Sequence, residues 1–320
     1  MKILIGYDGS ESSHAAVTDL RRAGLPESAD ALVLTSAEVV ALVESSFGFA
    51  GAPGGTYLLP QSYDDVRRAA EFQLEQAKTI AGRGADLVAE LFPKWKVSSE
   101  AVTGSAYAVI VDRAKEWDAD LVLVGSHGRS LIGRVMFGSV AQNVLSHSPC
   151  SVRIGRGQSL GSDKPVGFPL RVFIGVDGSP DSSTAIEAVC SRSWPEGTQV
   201  RLATVCDLLL ALALIDAGAI PDAAEGRSGD CTPLEKVVRA TGTRLRDKPG
   251  LEVSTVVLEG DPKHVLLREA ERWGADCIVL GAKGHSALER FFVGSVSASV
   301  AARAGCTVEV IRRRPSVLSQ

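Results

Sequence analysis

Two short motifs each occur twice in this 320-residue chain, and both carry residue types suited to holding an anionic ligand. The first is Asp8-Gly9-Ser10, matched by Asp177-Gly178-Ser179. The second is a spaced pattern, Gly-x2-Gly-x9-Gly-Ser. It places Gly125, Gly128, Gly138 and Ser139 in one copy, and Gly281, Gly284, Gly294 and Ser295 in the other. Glycine lets backbone approach a bulky anion and adopt positive φ. A helix N-terminus offers unpaired N–H groups and a partial positive charge, which suits phosphate. A serine there can cap the helix or bond a phosphate oxygen. An aspartate at a strand end can accept hydrogen bonds from a ribose or a base amine. Arg129, Arg134, Lys283 and Arg290 could add local positive charge, but they do not align between copies, so the backbone donors rank first. A purely structural reading competes: glycines that only make tight turns, serines that only cap, and aspartates that only cap the following helix.

Such motifs need elements to hold them. Residues 3–10 read ILIGYDGS and residues 172–179 read VFIGVDGS; residues 119–125 read ADLVLVG and residues 275–281 read ADCIVLG. From Gly104 and Gly260 onward the two copies stay in one register. Ile110, Ala114 and Trp117 recur as Leu266, Ala270 and Trp273, an i, i+4, i+7 face of a helix. In the first copy the pattern predicts strands over 3–7, 31–38, 96–102, 120–125 and 150–154. Helices are predicted over 10–23, 64–91, 105–117 and 138–147, and the series restarts at residue 171. Ser179-Pro180 and Asp261-Pro262 mark helix starts. Strand–helix alternation gives right-handed crossovers and a parallel sheet with helices on both faces. Open sheets of this kind bind ligands beyond the carboxyl ends of strands, where the chain order reverses, and both motifs lie at predicted strand ends. The Gly-, Ser- and Pro-rich stretch before Leu170 reads as a linker. The chain divides into a first domain, 1–156, a linker, 157–169, and a second domain, 170–314. Residues 47–60 and 207–230 differ most between copies and read as surface loops or partial helices.

Composition narrows the field. Hydrophobic residues make up 45% and charged residues 22%, which excludes a disordered, collagen-like or disulfide-stapled chain. A net charge of −4 speaks against a nucleic-acid partner. The longest clean apolar run, Leu208–Ile215, is too short to span a bilayer, and the N-terminus lacks a signal-peptide core. The six cysteines form no Cys-x-x-Cys pair, so reduced, mostly buried thiols and a cytoplasmic location are expected. The sequence has no Gly-x4-Gly-Lys-Ser/Thr loop, no Ser-Gly-Gly-x-Asp-Ser loop, no His-Glu-x-x-His pattern and no Gly-x-Ser-x-Gly elbow. His127 and His285 sit in the glycine loops at non-equivalent positions, which speaks against a shared catalytic role.

The two loops GSHGRSLIGRVMFGSV and GAKGHSALERFFVGSV, each paired with a strand-end Asp-Gly-Ser, make this chain resemble a tandem universal stress protein. The resemblance covers both repeats. It implies an α/β fold of two tandem doubly wound five-stranded parallel sheets, strand order 3-2-1-4-5. Such sheets are Rossmann-like, of the adenine-nucleotide alpha-hydrolase-like superfamily. It also implies ATP binding, with a divalent ion such as Mg or Mn on the phosphates. By the same resemblance, Gly125, Gly128, Gly138, Ser139 and the Val140 amide hold the phosphates of one nucleotide. Gly281, Gly284, Gly294, Ser295 and Val296 hold those of another. Asp8 and Asp177 lie by ribose and adenine. Val205 takes the place of the family's adenine-contacting valine, whereas the first copy has Ser36 there. The first copy also has Ala106 where the family often has a proline, kept as Pro262 in the second. The second copy therefore follows the family pattern more closely.

Cys150, Val152 and Ile154, and likewise Cys306, Val308 and Val310, alternate with polar residues, the pattern of an exposed edge strand. The resemblance implies that these last strands pair across a twofold axis. The two halves of one chain can do this as a pseudo-dimer, and a homodimer is also open. The function expected is an ATP-binding stress-response sensor or regulator. The alternatives are a slow ATPase and an interaction protein with vestigial sites.

Overall fold

The computed structural model describes residues 1–38, 63–128, 137–156, 169–206, 238, 242–243, 245–246, 248–284 and 293–313. The two variable segments, 47–60 and 207–230, lie outside the described residues. The first half runs β1 (Lys2–Gly6), α1 (Glu11–Asp19), β2 (Asp30–Ala37), α2 (Tyr63–Leu91), β3 (Lys96–Thr103), α3 (Ala106–Glu116), β4 (Leu121–Gly125), α4 (Ser139–His147) and β5 (Ser151–Gly155). The second half runs β6 (Arg171–Gly175), α5 (Pro180–Cys190), β7 (Thr198–Cys206), β8 (Leu251–Glu259), α6 (Pro262–Trp273), β9 (Cys277–Gly281), α7 (Ser295–Arg303) and β10 (Thr307–Ile311).

The strands join into one sheet of order β3-β2-β1-β4-β5-β10-β9-β6-β7-β8. Within each half all neighbours are parallel; β5 and β10 meet antiparallel at the centre. Each half is thus a doubly wound 3-2-1-4-5 sheet. The chain order reverses between β1 and β4, and again between β6 and β9. β1 and β4 are continuous apolar runs because both of their faces are covered. Ser10 and Ser179 start α1 and α5 by accepting the N–H of Ser13 and Ser182, and Asp261 starts α6 by accepting that of Lys263. Gly274, in the left-handed conformation, ends α6.

One buried layer runs across both halves, joining Leu4, Ile110 and Val152 to Val308, Leu266 and Phe173. Separate clusters lie under α1 and α2 in the first half and under α5 in the second. The last strands of the two halves pair with each other, as expected of two such edges, and their polar positions are buried in the process. Arg153 and Glu309 alternate with apolar residues as an exposed edge would, yet they are 1% and 0% exposed. Each polar side chain is covered by the first helix of its own half, α1 over β5 and α5 over β10, and meets the opposite charge of the other half's strand. A correction concerns the thiols. Cys150, Cys190, Cys277 and Cys306 form no disulfide, whereas Cys206, at the end of β7, is disulfide-bonded. Spacing along the sequence does not reveal such a pair, because the fold and not a short motif brings it together. No helix among the described residues is long and apolar enough to cross a membrane.

Candidate functional site

Beyond the carboxyl ends of β1 and β4 lies a cavity of about 430 Å³. Asp8, Gly125, Gly128, Gly138, Ser139 and Val140 all line it, so the structure brings together the six first-half residues expected to hold the nucleotide. The opening strand–helix turn is built by Asp8, whose Oδ1 accepts the Ser10 N–H at 3.0 Å. Asp177 accepts the Ser179 N–H at 2.9 Å in the same way. Gly9 and Gly178 sit at φ 76° and 80°, where a side chain would be strained. Neither aspartate is the helix cap, which is the serine two residues on.

The spaced glycines serve a different end. None of the six has positive φ, so the expectation that they supply it is corrected; close approach selects them instead. A Cβ on Gly125 would lie 2.8 Å from Ser12 Oγ and 3.0 Å from the Ser12 carbonyl carbon, because β4 presses on the start of α1. On Gly281 it would lie 2.6 Å from the Asp181 carbonyl carbon. On Gly128 it would stand 3.4 Å from Asp8 Oδ2, and on Gly284 2.7 Å from Asp177 Oδ2. The second glycine thus brings the loop against the strand-end carboxylate. On Gly138 it would stand 3.1 Å from the Ser126 oxygen, so the third glycine seats the start of α4 on the same loop.

Gly138 and Gly294 are themselves the N-cap residues, and neither helix has a side-chain cap. Ser139 and Ser295 are the first helical residues, which removes the plain-capping reading for them. The Gly138 N–H donates to the Ser126 oxygen at 2.9 Å, and the Gln142 N–H closes the first turn on the Gly138 oxygen at 2.9 Å. The N–H groups of Ser139, Val140 and Ala141 therefore fall outside the helix's own ladder, and all three residues line the cavity. At α7 the pattern repeats. The Gly294 N–H donates to the Ala282 oxygen at 2.7 Å, ahead of Ser295 and Val296.

The other end of the cavity is bounded by Ser36 and Glu38. The Ser36 hydroxyl donates to the Gly104 oxygen, and the Ala106 N–H donates to Glu38 Oε1 at 3.3 Å. Val205, the counterpart of Ser36 in β7, is half-buried and packs on the shared core. Tyr7, Glu38 and Gln73 also line the cavity and were not singled out from the sequence. Gln73 comes from α2, which carries no motif, so only its docking discloses it. Burial, then the Asp8 carboxylate, raises the Tyr7 phenol above its ordinary range. The Ser12 Oγ accepts the His127 N–H at 3.1 Å and ties the glycine loop to α1. His127 Nδ1 stands 2.9 Å from Ser126 Oγ, while its Nε2 is buried with no hydrogen-bond partner among the described residues.

In the second half, α5 holds the corresponding loop. Ser179 Oγ donates to the Lys283 oxygen at 3.1 Å, and Asp181 accepts the Lys283 N–H at 3.1 Å. Arg129, Arg134, His285 and Arg290 lie outside the described residues. Among the described residues no group of three or more His, Cys, Asp or Glu side chains is placed to hold a metal ion.

A model of the universal stress protein family matches residues 1–155 and again residues 170–312. The chain belongs to the universal stress protein family. Full-length relatives have the same tandem length. A universal stress protein of Mycolicibacterium smegmatis is 29% identical, over 98% of this chain and 97% of its own. One from Mycobacterium tuberculosis is 26% identical, over 97% of each. A crystal structure of a universal stress protein from Archaeoglobus fulgidus superposes with a TM-score of 0.63 at 20% identity, covering 98% of both chains, and shares the fold.

Proposed function

We propose that this universal stress protein is an ATP-binding regulator of a stress response, and not a fast enzyme. The observation that carries the reading is the uncapped first turn of α4 beside Asp8 in one cavity. Three backbone N–H groups there lack helical partners, and the glycine loop lies against the strand-end carboxylate. A volume of about 430 Å³ lies within the roughly 300–1,000 Å³ common for small-molecule sites. In this reading the Ser139 and Val140 amides, with the backbone of Gly125, Gly128 and Gly138, hold the phosphates and their divalent ion. Asp8 takes the ribose, and the Ser36 end receives the base. The second half uses Asp177, Gly281, Gly284, Gly294, Ser295 and Val296, with Val205 against adenine. Occupancy then sets the chain's conformation or assembly.

Native mass spectrometry of the purified protein, with and without added ATP, tests this. Gly138→Asp and Gly294→Asp place a carboxylate beside the first-turn amides, where it competes with phosphate for the same donors. Two ATP masses are expected in the wild type, and one fewer in each variant. A wild-type protein that binds no added ATP would overturn the reading and favour an interaction protein with vestigial sites. ATP that alters neither oligomer size nor the proteolysis pattern would remove the regulatory part.

A further inference from the structure

The β5–β10 seam is nearly symmetric. Val152 faces Val310, Ile154 faces Val308, and Arg153 faces Glu309. The 156-residue repeat equates Val152 with Val308, Arg153 with Glu309 and Ile154 with Val310, so the pseudo-twofold axis passes through the Arg153–Glu309 pair. The flanking contacts are reciprocal. The Arg156 N–H donates to Thr307 Oγ1 at 3.1 Å, and the Arg312 N–H to Ser151 Oγ at 3.2 Å. The Arg156 guanidinium closes the end of α7 on the Ala301 oxygen, and that of Arg312 closes the end of α4 on the Leu145 oxygen. All of these contacts would form equally well between two like halves.

The residue on the axis breaks the symmetry. Arg153 and Glu309 meet at 2.8 Å, 1% and 0% exposed. Each is held by an opposite charge in its own half. Asp19 sits 2.7 Å from Arg153, and Arg192 donates to Glu309 Oε2 at 3.0 Å. The row therefore reads minus, plus, minus, plus across the seam. Two first halves joined at this register would bury arginine against arginine, and two second halves would bury glutamate against glutamate. A buried charge left without its counter-ion is strongly destabilising, whereas a satisfied one specifies its partner.

We propose that Arg153 and Glu309 form a sorting pair that makes each central strand edge accept only the unlike half. Two otherwise interchangeable edges then close on each other and refuse like halves of other copies.

The test keeps the full chain and inverts the charge row one half at a time. Asp19→Arg with Arg153→Glu leaves glutamate on the axis in both halves. Arg192→Glu with Glu309→Arg leaves arginine there in both. Each variant expressed alone is expected to lose the closed seam, read as aggregation or loss of the wild-type sedimentation profile. Co-expressed with different tags, the two are expected to form a soluble 1:1 complex of two chains, of about twice 33.6 kDa, above the level seen for two differently tagged wild-type chains. A purely structural ion pair would leave both variants failing alone and together. The proposal is overturned if either variant alone matches the wild type in size and melting temperature, or if co-expression gives no 1:1 complex.

Discussion

Gly125→Ala tests what the first glycine of the spaced pattern is for. The new methyl would stand 2.8 Å from Ser12 Oγ and 3.0 Å from both the Ser12 carbonyl carbon and the Ser13 nitrogen. Favourable carbon contacts lie at about 3.5–4.0 Å, so the first turn of α1 must recede by at least half an ångström. Two of the three neighbours are backbone and cannot rotate away. Overpacking of this kind costs roughly 1–3 kcal/mol. In a unit of 150–250 residues each kcal/mol lowers Tm by about 2–4 °C, so a fall of roughly 2–12 °C is expected. Gly128→Ala is the internal control. Its methyl would meet Asp8 Oδ2 at 3.4 Å, an ordinary contact, and its backbone has no positive φ. Its melting temperature should stay within about a degree of the wild type, or rise slightly as the unfolded chain loses freedom. Thermal melts followed by circular dichroism, repeated with ATP, separate the roles. Gly125→Ala should lose stability with and without nucleotide, because the same first turn carries Ser12, which ties down the glycine loop. A Gly125→Ala protein that melts with the wild type and loses only ATP affinity would refute the packing account.

Two further outcomes follow from the seam. Burial alone would raise the Glu309 carboxyl, but Arg192 and Arg153 hold it down at about 2, against an ordinary value of 4.5. A depressed carboxyl contributes stability that is present above pH 4.5 and lost as pH falls from there toward 2. The loss should reach about 3 kcal/mol. Asp19 and Cys277 also face this cluster, so urea melts of wild type against Glu309→Gln, from pH 6 to pH 3, isolate the carboxyl's share. The wild type should be the steeper, and equal slopes would remove Glu309 from the account. Burial also pushes the Cys277 and Cys306 thiols up to about 12. Cys277, which is also enclosed at 4% exposure, should not react with a thiol reagent at pH 8 until urea opens the fold, and its rapid labelling in the native protein would contradict the packing described.

Much of this was legible in the sequence because the repeat carried it. Two copies of Asp-Gly-Ser and two of Gly-x2-Gly-x9-Gly-Ser fixed the strand ends, and helical periodicity placed α3 and α6 to within a residue or so at each end. Capping serines and the Pro180 and Pro262 signals are local physics, readable without a fold. The lining of the cavity was only half legible. Asp8 and the glycines announce themselves by type and spacing, whereas Gln73 and Tyr7 reach it through the docking of α2 and the end of β1.

Residue type, spacing and repetition, all properties of the chain in one dimension, determined the fold class, the repeat and six of the residues that line the first-half cavity. Tertiary structure alone decided three things. The spaced glycines are close-approach positions, because which atoms press on them depends on how α1 meets β4 and α5 meets β9. Cys206 forms a disulfide, because pairing depends on distance in space. The polar residues of the last strands are buried and matched, because an alternating strand looks the same in sequence whether its polar face meets water or an opposite charge.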